Sequence, residues 1–350
     1  MSVVPFDRVV VDPAAADYSF TRRFLGRCPG DVPVSESHIK PRGRRSVFVT
    51  REPGSFLKPC PCSPGVVRCG YWVLSPVFQC PFQCSYCFLR FYAPEEPLTL
   101  YANLEDAEVQ FRKQVREWDG PVRLGTGEFA DSLALDGWTG HADWLLGLVA
   151  EYPQVLLELK TKSAEVSALL ARPALPNVVA AWSLNPGARV ASDERGTASL
   201  SARLAAAVSV AEAGYRVAFH FDPVVLGAGW EDAYRDLVRQ LAATVAPDRV
   251  AWVSVGTLRF PPHFLERWGR TLAGRSEYFD DMLPGSDGKL RSFWPLRRRA
   301  YRVMEEELRR WGGSELPVYL CMESPEMWQS TFAYEPAEGE VAAVLTRGCG

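Results

Sequence analysis

Cys80-Pro81-Phe82-Gln83-Cys84-Ser85-Tyr86-Cys87 sets three thiols in a Cys-x3-Cys-x2-Cys array just beyond the apolar stretch Tyr71 to Phe78. Soft thiolates are the usual ligands of iron-sulfur clusters, and three of them leave one iron of a four-iron cubane open to a small molecule. A structural zinc knuckle is the competing reading. It wants four closed ligands, usually as cysteine pairs separated by a longer stretch.

Outward from this array, strand-like and helix-like segments alternate. Strands are expected at Val73 to Val77, Val122 to Gly125, Val155 to Leu159, Val178 to Leu184, Arg216 to Phe221 and Val250 to Val255. Apolar residues at three- and four-residue spacing predict helices at Leu104 to Trp118, His141 to Glu151, Ala164 to Leu170, Ser201 to Ala213 and Glu231 to Ala243. Asn103, paired with Asp106, and Ser199 are expected helix caps. The pattern is that of an α/β protein, a partial (β/α)6 TIM-type barrel with its chemistry at the carboxyl ends of the strands. The motifs agree: Gly125-Thr126-Gly127-Glu128 follows the second strand, Lys160-Thr161-Lys162 the third, Ser183 and Asn185 the fourth, His220 and Asp222 the fifth. After Gly256 the alternation breaks, which disfavours a closed eight-stranded barrel. The expected division is an irregular N-terminal region at 1–70, the barrel at 71–258 and a C-terminal extension at 259–350, carrying a helix from Leu296 to Trp311 and a last strand near Val318 to Cys321.

At 350 residues, 47% hydrophobic and 23% charged, the chain has the composition of a globular enzyme without a membrane-crossing run. Met1 to Asp12 lacks the charged-then-apolar order of a secretion signal, so a cytoplasmic location is expected. Nine cysteines then favour metal or redox chemistry over disulfides. A net charge of -3 gives no global attraction to nucleic acid. Two local basic clusters, Lys40, Arg42, Arg44 and Arg45, then Arg297, Arg298, Arg299 and Arg302, are solvated faces or phosphate contacts. His38, His141 and His263 read as surface or packing residues. His220 and Asp222 alternate on one strand and share a face toward substrate or cofactor.

The cysteine spacing, with an aromatic before the last cysteine, resembles the cluster loop of the radical S-adenosylmethionine (SAM) superfamily. That resemblance implies a 4Fe-4S cluster whose open iron chelates SAM. It also implies reductive cleavage of SAM to a 5'-deoxyadenosyl radical, and an external electron donor such as flavodoxin or ferredoxin. Further stretches are similar to the spore photoproduct lyase family: Arg123 to Ser132, Thr161-Lys162, Trp182 to Asn185, Ala213-Gly214-Tyr215 and Gly229-Trp230-Glu231. This implies that Tyr86, Lys162 and Ser183 hold SAM, with Asn185 beside them. The resemblance to radical SAM enzymes at large, many of which carry Gly-Gly-Glu after the second strand, implies that Gly127-Glu128 meets its amino group. Departures matter as well. The hydrogen-returning cysteine of the lyases corresponds to Glu128 here, and the tyrosine after their last cluster cysteine to Phe88.

Segments Lys58 to Pro61, Cys69-Gly70-Tyr71 and Tyr319 to Ser324 resemble a broader group of lyase-like radical SAM proteins. Cys60, Cys69 and Cys321, with Cys62 as substitute or fourth ligand, are then candidates for an auxiliary iron-sulfur cluster; buried, unligated cysteines are the alternative. The expected function is hydrogen abstraction from a nucleotide- or nucleoside-like small molecule, with sulfur insertion from the auxiliary cluster as its biosynthetic end. Arg42, Arg45, Lys289 or Arg291 would meet phosphates. Lyase-like DNA repair or nucleic-acid modification is the alternative, and a non-catalytic iron-sulfur or zinc protein the second.

Overall fold

The computed structural model of the chain describes residues 6–262, 264, 266 and 282–347. His263 lies outside the described residues.

Seven parallel strands follow one another in chain order across one curled sheet: β1 (Tyr71–Leu74), β2 (Val122–Gly125), β3 (Val155–Thr161), β4 (Val178–Ser183), β5 (Arg216–Val224), β6 (Val250–Thr257) and β7 (Val318–Leu320). Leu57–Pro59 closes the opposite edge antiparallel to β1. Every residue of β4 and β6 is buried, which is why those strands read as continuous apolar runs rather than as alternation. Helices cross between successive strands: α1 (Leu104–Val115), α2 (His141–Val149), α3 (Ser167–Leu170), α4 (Leu200–Glu212), α5 (Trp230–Thr244) and α6 (Trp294–Gly312). On α5, Tyr234, Leu237, Val238 and Leu241 form the buried stripe against the sheet. The late strand β7 adds to the barrel edge through Val253, Ser254 and Val255 of β6.

The Ser199 hydroxyl accepts from Ala202 N at 3.2 Å and caps α4. Asn103 does not cap α1 in this way. Its carbonyl instead accepts from Glu52 N at 2.9 Å, and its amide donates to Glu52 O at 3.1 Å and to Asp106 at 2.7 Å, so the residue ties two loops together.

The first 70 residues, expected to be irregular, contain strands and a nine-residue helix. Arg8–Val11, Val34–Glu36 and Ser46–Thr50 join Leu98–Tyr101 and Val77–Phe78 in a five-stranded sheet over its own core, which includes Val9, Phe20, Val47 and Leu98. These strands are too short, and their partner at 98–101 too distant in sequence, to leave a periodic signal. The strand expected at Val73 to Val77 is split at Ser75-Pro76: Tyr71–Leu74 stays in the barrel, while Val77–Phe78 crosses to the second sheet. Proline has no N–H for a ladder, so the break falls there. Both sheets therefore hold the approach to the cysteine array. No helix among the described residues is long and apolar enough to cross a membrane.

Candidate active site

A cavity of about 610 Å³ opens at the carboxyl ends of the barrel strands, within the size range of ligand clefts. Cys80, Cys84 and Cys87 line it, as do Tyr86, Lys162 and Ser183. Gly127, Glu128, His220 and Asp222 face the same space. Cys60, Cys62, Cys69 and Cys321 line its other side.

The cysteine loop is built rigidly. Gln79 enters it with φ 78°, a left-handed conformation uncommon for a side chain with a Cβ, and its amide donates to Ala93 O. Arg44 donates to Cys80 O at 3.2 Å and to Phe82 O at 3.1 Å, so this member of the first basic cluster clamps the loop backbone. On the far side Gln83–Cys84 pairs antiparallel with Glu194–Arg195, and Ser85 N donates to Asp193 O at 2.8 Å.

Glu194 is the centre of that anchor. Its buried carboxylate accepts from Tyr86 Oη, from Asn185 Nδ2 at 2.9 Å and from Arg203 at 2.5 Å, and Lys162 Nζ lies 4.0 Å away. Burial alone would raise its pKa; Lys162 and Arg203 outweigh that and hold it below the usual carboxylate value. The Lys162 ammonium also sits 6.0 Å from the centroid of the Tyr86 ring. Asn185 does not line the cavity. Its amide is taken up by Tyr86 and Glu194 and its carbonyl by Tyr234 at 2.6 Å, so it stands behind Tyr86 rather than facing a ligand.

Across the floor, charges are paired. His220 Nε2 lies 2.5 Å from Glu158, whose pKa is about 2: burial pushes it up, and His220, Arg123 and Lys160 bring it down further. Asp222 takes both oxygens to Arg259 at 2.9 and 3.2 Å, and Lys160 is 3.9 Å from Glu128. His220 and Asp222 thus share a face, each closed in its own pair. Gly127 lets the strand end approach Lys160: a Cβ there would stand 2.8 Å from the Lys160 Cβ.

The second thiol group is gathered by the same floor. Cys60 and Cys62 sulfurs are 3.8 Å apart, Arg123 donates to Cys69 Sγ at 3.0 Å, and Arg259 lies 3.7 Å from Cys321 Sγ. Met322, next to Cys321, also has a left-handed φ of 60°. Among the described residues no three His, Cys, Asp or Glu side chains converge closely enough for a single metal ion. The donor chemistry of Cys80, Cys84 and Cys87 fits a cluster: three soft thiols on one anchored loop with an open fourth side toward the cavity. Burial pushes the metal-free Cys84 thiol up to about 12 and raises Cys80 well above the ordinary thiol value, so binding would have to displace those protons.

Other candidates lie elsewhere. Arg45 is paired with Asp7, Arg42 is 3.8 Å from Glu95, and Lys40 is paired with Glu96, all away from the cavity. Arg297 reaches Glu323 at 3.3 Å, Arg299 reaches Glu231 at 2.6 Å, and Arg298 and Arg302 donate to Ser330 O, so the second basic cluster is a set of helix cross-links. His38 is exposed beside Asp12, and His141 is buried against Phe20 with ring centroids 4.9 Å apart. Sequence reasoning missed Glu194, Glu158 and Arg203. Glu158 within Val155–Thr161 and Arg203 on the apolar face of α4 were visible as charges in buried positions. Glu194 carried no such signal.

A family model described as spore photoproduct lyase matches residues 74–259. Spore photoproduct lyases of Geobacillus sp. (strain Y412MC61) and Bacillus subtilis (strain 168) are 29% and 28% identical over 165 and 171 residues. Those alignments cover 47% and 48% of this chain and 48% and 50% of the relatives, so the chain spans about half the length of the curated relatives it matches. Among solved structures, a spore photoproduct lyase mutant with bound AdoMet and dinucleoside spore photoproduct superposes with a TM-score of 0.75 at 20% identity, covering 91% of this chain and 99% of that one. That likeness establishes the barrel fold, and the family match over more than half of the residues, cysteine array included, establishes that the chain belongs to the spore photoproduct lyase family.

Proposed function

We propose that this protein is a radical SAM enzyme that holds a 4Fe-4S cluster on Cys80, Cys84 and Cys87, binds SAM beside it and abstracts hydrogen from a nucleotide-like substrate. The observation that carries this reading is the single cavity onto which the three thiols, Tyr86, Lys162, Ser183 and Glu128 all face. When bound, the cluster and SAM would supply a 5'-deoxyadenosyl radical, with the electron coming from an external donor. The chain's own part is positioning: Glu194 holds Tyr86 and Lys162 at the wall, and Glu128 offers a carboxylate to the amino group of SAM.

A nucleic-acid lesion is the natural alternative substrate, since solved spore photoproduct lyase structures that this chain resembles carry a dinucleoside spore photoproduct. Two residues argue for a different ending of the reaction. Glu128 and Phe88 carry neither a thiol nor a phenol, so neither can return a hydrogen atom in the way the resemblance implies for the lyase residues at those positions. The second thiol group favours a reading in which the substrate radical ends in a C–S bond. Cys60, Cys69 and Cys321, with Cys62 adjacent, would hold an auxiliary cluster able to supply sulfide and to take up on iron the one electron that C–S bond formation releases, and Arg123 and Arg259 would balance its thiolate charge.

The test is anaerobic reduction of cluster-loaded protein with SAM and quantification of 5'-deoxyadenosine, iron and sulfide. Triple replacement of Cys80, Cys84 and Cys87 by Ala should end cleavage; surviving cleavage would refute the site. About eight irons per chain, falling to about four when Cys60, Cys69 and Cys321 are replaced, is expected for two clusters, and about four in the wild type removes the sulfur-donation reading. Tight, strongly salt-dependent binding of DNA would instead support the repair reading.

A further inference from the structure

Lys289 lines the cavity from the hairpin in which Met282–Pro284 pairs antiparallel with Leu290–Ser292. Its backbone is fixed at both ends: Lys289 N donates to Asp287 Oδ1 at 3.3 Å, and Gly285 N donates to Lys289 O at 2.7 Å. The other cations of the lining are matched to carboxylates: Arg123 lies 3.9 Å from Glu158, Lys160 3.9 Å from Glu128, Lys162 4.0 Å from Glu194 and Arg259 2.9 Å from Asp222. Arg291, next but one along the hairpin, is closed by Asp287 at 2.7 Å and Glu323 at 3.4 Å. Among the described residues, no carboxylate lies within ion-pair distance of the Lys289 ammonium, and no acceptor takes its protons. Burial, and then the Arg259 guanidinium, hold its pKa below the ordinary lysine value; the Asp287 and Glu128 carboxylates pull the other way from beyond ion-pair distance and do not offset them.

We propose that Lys289 anchors a phosphate group of the substrate at the edge of the cavity, which makes the substrate a phosphorylated mononucleotide rather than a free nucleoside or a nucleic-acid strand. The inference rests on the nucleotide-like reading given above and refines it. A phosphate dianion at Lys289 would meet its charge, with Arg259 adding long-range attraction and its remaining Nε–H, since its Nη1 and Nη2 protons go to Asp222, Thr257 O and Cys321 Sγ. A strand would need a basic track outside the cavity. In the two basic clusters of the sequence, Lys40, Arg45 and Arg299 instead end on Glu96, Asp7 and Glu231.

The experiment is equilibrium binding to the cluster- and SAM-loaded protein of a panel of nucleoside 5'-monophosphates, the matched nucleosides and a short single-stranded oligonucleotide. At least one monophosphate should bind tenfold or more tighter than its nucleoside, on the order of 1.4 kcal/mol. Lys289→Ala should abolish that difference while leaving nucleoside affinity in place, and Lys289→Arg should keep most of it. Equal binding of nucleotide and nucleoside, or equal loss of both in Lys289→Ala, overturns the phosphate anchor but leaves a nucleoside-like substrate standing. An oligonucleotide that outcompetes every monophosphate overturns the mononucleotide. Binding of no panel member overturns the nucleotide-like reading itself.

Discussion

The phenol of Tyr86 donates a hydrogen bond to the buried carboxylate of Glu194, joining two residues 108 positions apart in the chain. One belongs to the cysteine loop, the other to the short segment that pairs with it. Through this bond the loop's geometry depends on a charge cluster beneath β4, because Arg203 and Lys162 neutralise the same carboxylate.

Glu194→Ala should therefore act twice. It leaves the Arg203 guanidinium buried without its partner, a loss of about 3–5 kcal/mol for a buried pair broken on one side. It also frees Tyr86 and the loop. Urea denaturation should show the lost stability, and iron content after reconstitution should fall. Full iron occupancy in the variant would separate the loop from this anchor.

Glu128→Gln tests the proposed contact to SAM. Replacing the carboxylate by a neutral amide should raise the dissociation constant for SAM about tenfold, as for loss of one charge-assisted hydrogen bond. Lys160, 3.9 Å away, keeps an acceptor in the amide, so folding should be preserved. Unchanged SAM affinity would remove Glu128 from the SAM site.

Gly125→Ala probes how tightly the barrel closes beneath the site. An added Cβ would stand 1.9 Å from Tyr71 Oη and 2.9 Å from Glu158 O. Overpacking of this kind costs about 1–3 kcal/mol. A matched fall in the urea midpoint is expected; a variant as stable as the wild type would show that β1 and β2 can yield.

His141 should make stability depend on pH. Burial, and then Arg23, lower its pKa to about 3, and its Nε2 has no hydrogen-bond partner among the described residues. With the folded value depressed below the ordinary 6.5, the unfolded chain takes up the proton first as pH falls. The group contributes no slope above pH 6.5. Between 6.5 and 3 it lowers stability by up to about 1.4 kcal/mol per pH unit. His141→Phe should show a shallower decline than the wild type over that window in denaturant titrations. Parallel curves would mean that His141 is protonated in the folded protein.

Local information in the chain was enough for the barrel strands, the helices between them and the polar groups at the strand ends. Periodicity in segments such as Trp230–Thr244 and continuous burial in Val250–Thr257 are properties of neighbouring residues, and the Cys80, Cys84 and Cys87 spacing is a chemical signature on eight consecutive positions. Tertiary structure alone decided the rest. The N-terminal sheet depends on pairing Ser46–Thr50 with Leu98–Tyr101, and the anchor at Glu194 on a contact across 108 residues. The same holds for charge: Arg45 and Lys289 look alike in sequence, yet one meets Asp7 at the surface and the other lines the cavity with no ion-pair partner among the described residues. Which cation keeps its charge available is set by what the fold brings within a few ångströms of it, and no local pattern records that distance.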